Sequence, residues 1–329
     1  MIKNYSMHIV FEHSARLPVL KYGGTERFLF WLMCELVRKG HRVTYIGDPE
    51  SKLDEFGIRL APNFGEDWRK KIPADADLIH LTGTPKLEIN FPVIVTIEGN
   101  GQENEEFHSN TVFISRKHAA NHGGKVFVYN GIPMDRYKHT DNQVDVNDWK
   151  DFLFLAKANW KVKNLEGCVY AAKKSHKHLH VAGGRAWAFS RFVSSYGMID
   201  DRKKEELFGK VSALLFPVRW HEPFGIAVIE AMAMGRPVLA SPYGSLPELI
   251  NEDAGVICQN IQELVDNLRD RPRRFSSNQI REWASDKFGI DKTADSYLDL
   301  YQKVISGVRL NEKPPKTTNG FIAEELLPF

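Results

Sequence analysis

Residues 216–250, FPVRWHEPFGIAVIEAMAMGRPVLASPYGSLPELI, constrain the fold more than any other stretch of this 329-residue chain. An apolar run ends at Phe216 and stops at Pro217, and Pro223 with Gly225 marks a loop. The next residues predict a helix that carries Ile226, Val228, Ile229, Met232 and Met234 and closes at Gly235, with Pro237 behind it. VLAS then reads as a short buried strand. Tyr243, Gly244 and Ser245 form a turn before LPELI, where Ser245 is placed to cap a short helix.

Two carboxylates punctuate this unit. Glu230 lies mid-helix, and its neighbours one turn away are Ile226, Ala227, Ala233 and Met234, so no basic side chain is within intrahelical reach. A carboxylate on so apolar a helix needs a partner from outside it. A pair of ligand hydroxyls is one such partner; a distant Arg or a backbone amide is the structural alternative. Glu222 lies eight residues earlier, in the loop before the helix N-terminus, where outward amides and the helix dipole favour an anion. Amides flanked by two carboxylates suit a nucleotide diphosphate sugar, whose phosphates, ribose and hexose need separate contacts. A capping carboxylate and a structural Glu explain each residue singly, and the pair less well.

HEPFGIAVIEAMAMGRPVLAS resembles the Glu-x7-Glu signature of family four retaining glycosyltransferases, matching both glutamates, the PFG between them, the EAMA helix and the GRPV turn. The resemblance implies the α/β GT-B fold, two Rossmann-like domains with parallel sheets facing across a cleft. It further implies that Glu222 contacts the donor hexose and Glu230 the ribose hydroxyls. Pro223, Phe224, Gly225 and Ile226 then belong to the donor loop. Gly244 and Ser245 join them, since in relatives that turn faces the donor.

The rest of the chain alternates strand and helix, which predicts parallel sheets with ligands at the carboxyl ends of the strands. Strands are expected at 7–12, 41–48, 77–83, 92–99, 110–115, 125–132, 151–158 and 179–184. A helix capped by Thr25 follows the first strand and closes at Gly40, after the glycine pair Gly23-Gly24. A tight turn needs glycine too, but the resembled family has a glycine pair here whose amides approach the donor diphosphate. Glu98, Asn100 and Ser115 lie at strand ends and are candidates on the acceptor side. The family often has His-Gly where this chain has Glu98-Gly99.

YNGIPMDRYK (129–138) resembles the segment that closes the family's first domain, and the polar stretch 138–148 reads as the linker. The expected domains are 1–145, an acceptor-side Rossmann-like domain; 146–290, the nucleotide-sugar domain; and 291–329, a helix crossing back to the first domain plus a tail. After the strand at 151–158, Lys157, Lys161 and Lys163 cluster at a strand-to-helix junction, where an anion would sit; a solvated basic face is the plain alternative. In the resembled family an Arg and a Lys at this junction hold the diphosphate. Lys157 takes the Arg place, without its bidentate fork. Lys163-Asn164 takes the second, one residue late, which leaves Lys161 a rival.

Composition is that of an ordinary globular chain, 43% hydrophobic and 26% charged, and a formal net charge of +2 offers nothing to nucleic acid. Cys34, Cys168 and Cys258 are scattered and lack metal-ligand spacing, which fits a reducing compartment. No apolar segment is long enough to span a bilayer, and the start MIKNYSMHIVFEHS lacks a signal-peptide core. The expected setting is the cytoplasm, with peripheral contact at the inner face of the membrane compatible. The expected activity is hexosyl transfer from a UDP- or GDP-sugar to a glycan, lipid-linked or small-molecule acceptor, retaining, without metal or bound cofactor. Lys157 and Lys163 would stabilise the leaving diphosphate while Glu222 orients the hexose. The departures at Glu98 and Lys157 support an alternative, a non-catalytic nucleotide-sugar-binding protein of the same fold. An epimerase or phosphorylase of that fold fits the EAMA segment less well.

Overall fold

The computed structural model describes residues 6–19, 23–137, 144–185 and 190–329. The first six residues of the expected linker 138–148 lie outside them. The chain divides into two compact units. One holds Gly23–Gly131 with the preceding strand and Ile290–Phe321; the other holds Ile132–Gly289 and Ile322–Phe329.

The first unit is built on β1 (His8–His13), α1 (Gly24–Arg38), β2 (Arg42–Gly47), β3 (Arg59–Pro62), β4 (Leu78–Leu81), β5 (Val93–Ile97), β6 (Thr111–Phe113) and α2 (Arg116–Asn121). Its sheet has the order β3-β2-β1-β4-β5-β6, every neighbouring pair parallel. The apolar runs of β4 and β5 are buried throughout, because helices cover both faces of a parallel sheet.

The second unit repeats the plan with β7 (Asp151–Leu155), α3 (Leu165–Ser175), β8 (His178–Ala182), β9 (Val193–Ser195), α4 (Asp201–Lys210), β10 (Ala213–Phe216), α5 (Ile226–Ala233), β11 (Val238–Ala240), α6 (Leu246–Leu249), β12 (Gly255–Ile257), α7 (Ile261–Arg269) and α8 (Ser277–Phe288). Its order is β12-β11-β10-β7-β8-β9, again parallel throughout. Counted from each unit's own first strand, both sheets run 3-2-1-4-5-6. This is the doubly wound order, with its switch point between first and fourth strands. The last helix, α9 (Ile290–Ile305), belongs to the first unit. There Tyr297 and Tyr301 of α9 meet the Thr96 and His80 side chains in a buried hydrogen-bond network.

Several local expectations are corrected. The stretch 125–132 is not a strand; it makes two isolated bridges, Phe127 to Phe113 and Ile132 to Gly289, because β6 is only three residues long and offers it no continuous partner. Three short strands, β3, β9 and β12, were not foreseen. β3 ends at Pro62 and has an exposed Arg59, an edge strand with little apolar signal. Helix α1 starts at Gly24 with Gly23 as its cap, φ 153°, and Thr25 lies inside it. The Gly23 carbonyl accepts the amide of Arg27 at 3.2 Å, which opens the helix two residues earlier than a cap at Thr25 would.

Candidate active site

The second unit's switch point lies between β7 and β10, and their C-terminal ends lead into the two loops that carry the expected donor residues. These loops are stitched together. Asn164 adopts φ 58° as the cap of α3, accepts the Gly167 amide at 3.1 Å, and donates through Nδ2 to the Pro217 carbonyl at 2.8 Å. The Arg219 amide donates to the Val162 carbonyl at 2.7 Å.

That stitching brings Lys163 to Glu222. Nζ donates to Oε2 at 2.6 Å, with both side chains less than a tenth exposed. Trp220 Nε1 donates to the same oxygen at 2.7 Å. The ammonium also lies 4.7 Å from the Trp220 ring centre, 5.3 Å from Trp160 and 5.4 Å from Phe216. An aromatic cage with one carboxylate is a low-dielectric setting in which a charge exerts its field strongly. Lys161 and Lys157 are both exposed. The geometry thus separates the rival lysines: Lys163 is the one brought to Glu222.

Glu222 is also joined to the following turn. Its carbonyl accepts the Ser245 amide at 2.9 Å, and the Ser245 hydroxyl donates to the Phe224 carbonyl at 2.7 Å. The expected side-chain cap is therefore absent: Ser245 precedes α6, but its hydroxyl is committed to Phe224 because the turn packs against the donor loop. Gly244 has φ 63°, and a Cβ there would meet the Glu222 carbonyl at 2.2 Å, so only glycine fits this approach. Gly225, φ 97°, caps α5, whose first amides point out of the helix end beside Glu222. Pro223 and Phe224 are buried, and Phe224 packs edge-on against Phe288. Ile226 opens α5, half-buried. The tail, unplaced by sequence, braces the same loops: Leu327 and Arg219 exchange two hydrogen bonds, 2.8 and 2.7 Å, and the Tyr243 hydroxyl donates to the Pro328 carbonyl.

Glu230 is buried in α5, and its outside partners are protein groups that sequence reasoning missed. The Tyr137 hydroxyl donates to Oε1 at 2.8 Å, and Lys204 Nζ donates to the same atom. Lys204 also reaches Asp201 at 3.0 Å. Tyr137 is held in turn by Arg281, which donates to its carbonyl at 2.8 Å. The neutralising group is thus neither of the structural alternatives weighed from sequence. One signal was present: Lys204 sits three and four residues before Leu207 and Phe208, on the helix's apolar face.

In the first unit, Gly23 and Gly24 head α1, but Glu26 occupies the first turn, its Oε2 2.7 Å from where a Gly23 Cβ would be. A carboxylate therefore already sits beside these amides. Ser115 caps α2, accepting the His118 amide at 3.1 Å, so its hydroxyl has a structural task. Glu98 and Asn100 follow β5. A cavity of about 480 Å³ opens at the C-terminal ends of β1 and β4, the first unit's switch point. It is lined by Glu12, His13, Trp68 and Arg69 among others, and the foreseen acceptor-side residues are not in its lining.

Glu98 accepts from Asn130 Nδ2 at 2.7 Å through one oxygen, while the other, Oε1, is buried with no partner among the described residues. Burial pushes this carboxyl up to about 8, with the Asn130 bond opposing and Glu26 adding to the rise. A carboxyl whose folded pKa exceeds its unfolded value loses stability as pH climbs from about 4.5 to about 8. The buried His80 and His118 are pushed down to about 3, so their opposite contribution is complete above the ordinary histidine value of about 6.5. Between those limits Glu98 stands out. Thermal melts should show the wild type losing stability from pH 6.5 to 8, and Glu98→Gln losing clearly less; parallel curves would mean that Glu98 is ionised throughout.

Comparison with known proteins places this geometry. Residues 149–271 match the family described as "Glycosyl transferases group 1". The O-antigen chain mannosyltransferase C of Escherichia coli is 27% identical over 204 residues, 53% of this chain and 54% of that protein. The chain thus spans about half the length of that relative, and 22–35% of the other curated ones it matches. AviGT4, a glycosyltransferase of avilamycin A biosynthesis, superposes with a TM-score of 0.75 at 20% identity, over 92% of this chain and 99% of that one. HepE of Anabaena, solved in complex with UDP and glucose, superposes with a TM-score of 0.71 at 16% identity, over 90% and 100%. The fold is GT-B, two Rossmann-like domains, and the stretch that resembles the group 1 glycosyl transferases, residues 149–271, lies in the second. Among the described residues no helix is long and apolar enough to cross a membrane.

Proposed function

We propose that this chain is a retaining, metal-independent glycosyltransferase that moves a hexose from a UDP- or GDP-sugar to a glycan, lipid-linked or small-molecule acceptor. The observation that carries the reading is the buried Lys163–Glu222 pair beside the amide-bearing end of α5, at the switch point of its sheet. A diphosphate bound there meets a cation and helix amides, while Glu222 meets the hexose. As the glycosidic bond to phosphate breaks, negative charge grows on the departing diphosphate. Lys163 and the α5 amides stabilise that charge from fixed positions, each good donor contributing about 3 kcal/mol. Exposed Lys157 can add a second cation on entry. The Gly23 and Gly24 amides offer the same kind of contact, opposed by Glu26. Glu230 receives the ribose hydroxyls. No protein nucleophile is assigned; the donor phosphate helps to deprotonate the acceptor on the same face. The Glu12–His13 cavity is the proposed acceptor pocket.

A panel of nucleotide diphosphate sugars tests this by thermal shift, with donor hydrolysis followed by NMR in the same samples. Binding raises stability with the logarithm of occupancy, so a true donor stands out from the panel. One donor should both stabilise the chain and be hydrolysed slowly to the retained anomer. Stabilisation without hydrolysis, persisting when acceptors are added, would instead establish a binding protein. No stabilisation by any donor would remove the nucleotide-sugar reading altogether.

A further inference from the structure

A polar stripe crosses the second sheet at the end opposite its donor loops. Asp151, His178 and Val193 open β7, β8 and β9, and Asp151 pairs in register with His178. In-register neighbours share a face and the side-chain period of a strand is two, so Asp151, His178 and His180 project from the same side. Each offers a ligand atom, and the three atoms lie within 4.8 Å of one another.

We propose that Asp151, His178 and His180 form a site for a divalent transition-metal ion of the Zn²⁺ class that staples β7 to β8. His180 Nε2 lies 3.2 Å from Asp151 Oδ1. With metal bonds of about 2.0–2.1 Å, a tetrahedral edge is about 3.3 Å, so the two groups already stand at ligand spacing. Each imidazole also has one nitrogen held by a hydroxyl, and in His180 it is the nitrogen turned away from Asp151. Tyr196 Oη lies 2.9 Å from His180 Nδ1, and Ser194 Oγ lies 2.9 Å from His178 Nε2. Such outer partners fix the ring and tautomer of a ligating histidine. Two imidazoles and a carboxylate select zinc, cobalt, nickel or copper over magnesium or calcium. Water completes the set on the exposed side.

The site takes no part in the proposed transfer. β7 runs five residues from Asp151 to Leu155, roughly 15 Å, before the chain reaches the Lys157–Lys163 loop. Its predicted effect is on stability, independent of any donor.

The test is calorimetric titration of the chelator-treated full chain with Zn²⁺, paired with thermal melts. We expect one saturable equivalent, a melting rise of about 5 °C or more at saturating metal, and no such response to Mg²⁺. His178→Ala and His180→Ala should each abolish the equivalent, and Tyr196→Phe, which keeps all three ligands, should weaken it about tenfold or more. Absence of saturable binding, or binding that survives in the double alanine variant, would overturn the site. If an alanine variant does not fold, Co²⁺ added to the wild type decides. An intense visible absorption displaced by stoichiometric Zn²⁺ supports a low-coordinate nitrogen–oxygen site, and its lack overturns one.

Discussion

Lys163→Ala should lower kcat for donor turnover by about 10²–10³-fold, while Lys161→Ala changes it by less than about threefold. The two lysines are two residues apart, yet one points into an aromatic cage against Glu222 and the other into solvent. Charge at a desolvated, fixed position stabilises a developing anion; an exposed, mobile charge is screened. The substitution also strands Glu222 with Trp220 Nε1 as its side-chain donor among the described residues, and breaking such a buried pair costs about 3–5 kcal/mol. Turnover must therefore be measured where circular dichroism shows the variant folded. The double variant Lys163→Met, Glu222→Gln removes both charges together and should recover most of the lost stability without recovering turnover. If Lys161→Ala proves the more damaging single change, the diphosphate lysine has been misassigned.

Glu230→Ala should raise the donor dissociation constant by about 10–100-fold, the loss expected when a charged acceptor of ligand hydroxyls is removed. KM should follow, with a smaller effect on kcat, because the ribose is remote from the bond that breaks. The variant leaves Lys204 buried beside Asp201 alone, so some stability is lost with it. Lys204→Met provides the complementary test. It strands Glu230 with Tyr137 as a neutral donor and should cost several kcal/mol of stability, on the order of a broken buried pair. Its donor affinity should fall as well, since Lys204 and Tyr137 together set where the carboxylate points. Isothermal titration with the nucleoside diphosphate measures both. Unchanged nucleotide affinity in a folded Glu230→Ala protein would remove Glu230 from the ribose role.

Most of the architecture was legible in the chain. Continuous apolar runs at 77–83, 92–99 and 151–158, with glycine or a basic loop at their ends, read as parallel strands covered on both faces, and strands are found there. Helices α1, α5, α7, α8 and α9 declared themselves by periodicity and by their stops. Short edge strands did not, because three residues carry too little pattern: β9 and β12 have that length, and β3 has four. The false strand at 125–132 had the apolar content of one, but β6 was too short to pair with it.

The site divides the same way. The sequence by itself determined which loops carry charge: the Glu222 and Glu230 spacing, the glycines at 225 and 244, and a lysine cluster after β7. These are local features, and local backbone chemistry produces them. Only the tertiary structure decided which lysine meets Glu222, and which groups neutralise Glu230. Lys163 and Glu222 are 59 residues apart, Lys204 and Glu230 26, and Tyr137 and Glu230 93. Those pairs exist because Asn164 ties the loop after β7 to the exit of β10, and because α4 turns one buried lysine toward α5. A buried charge takes whatever partner the packing delivers, and packing joins residues that no periodicity in the chain connects.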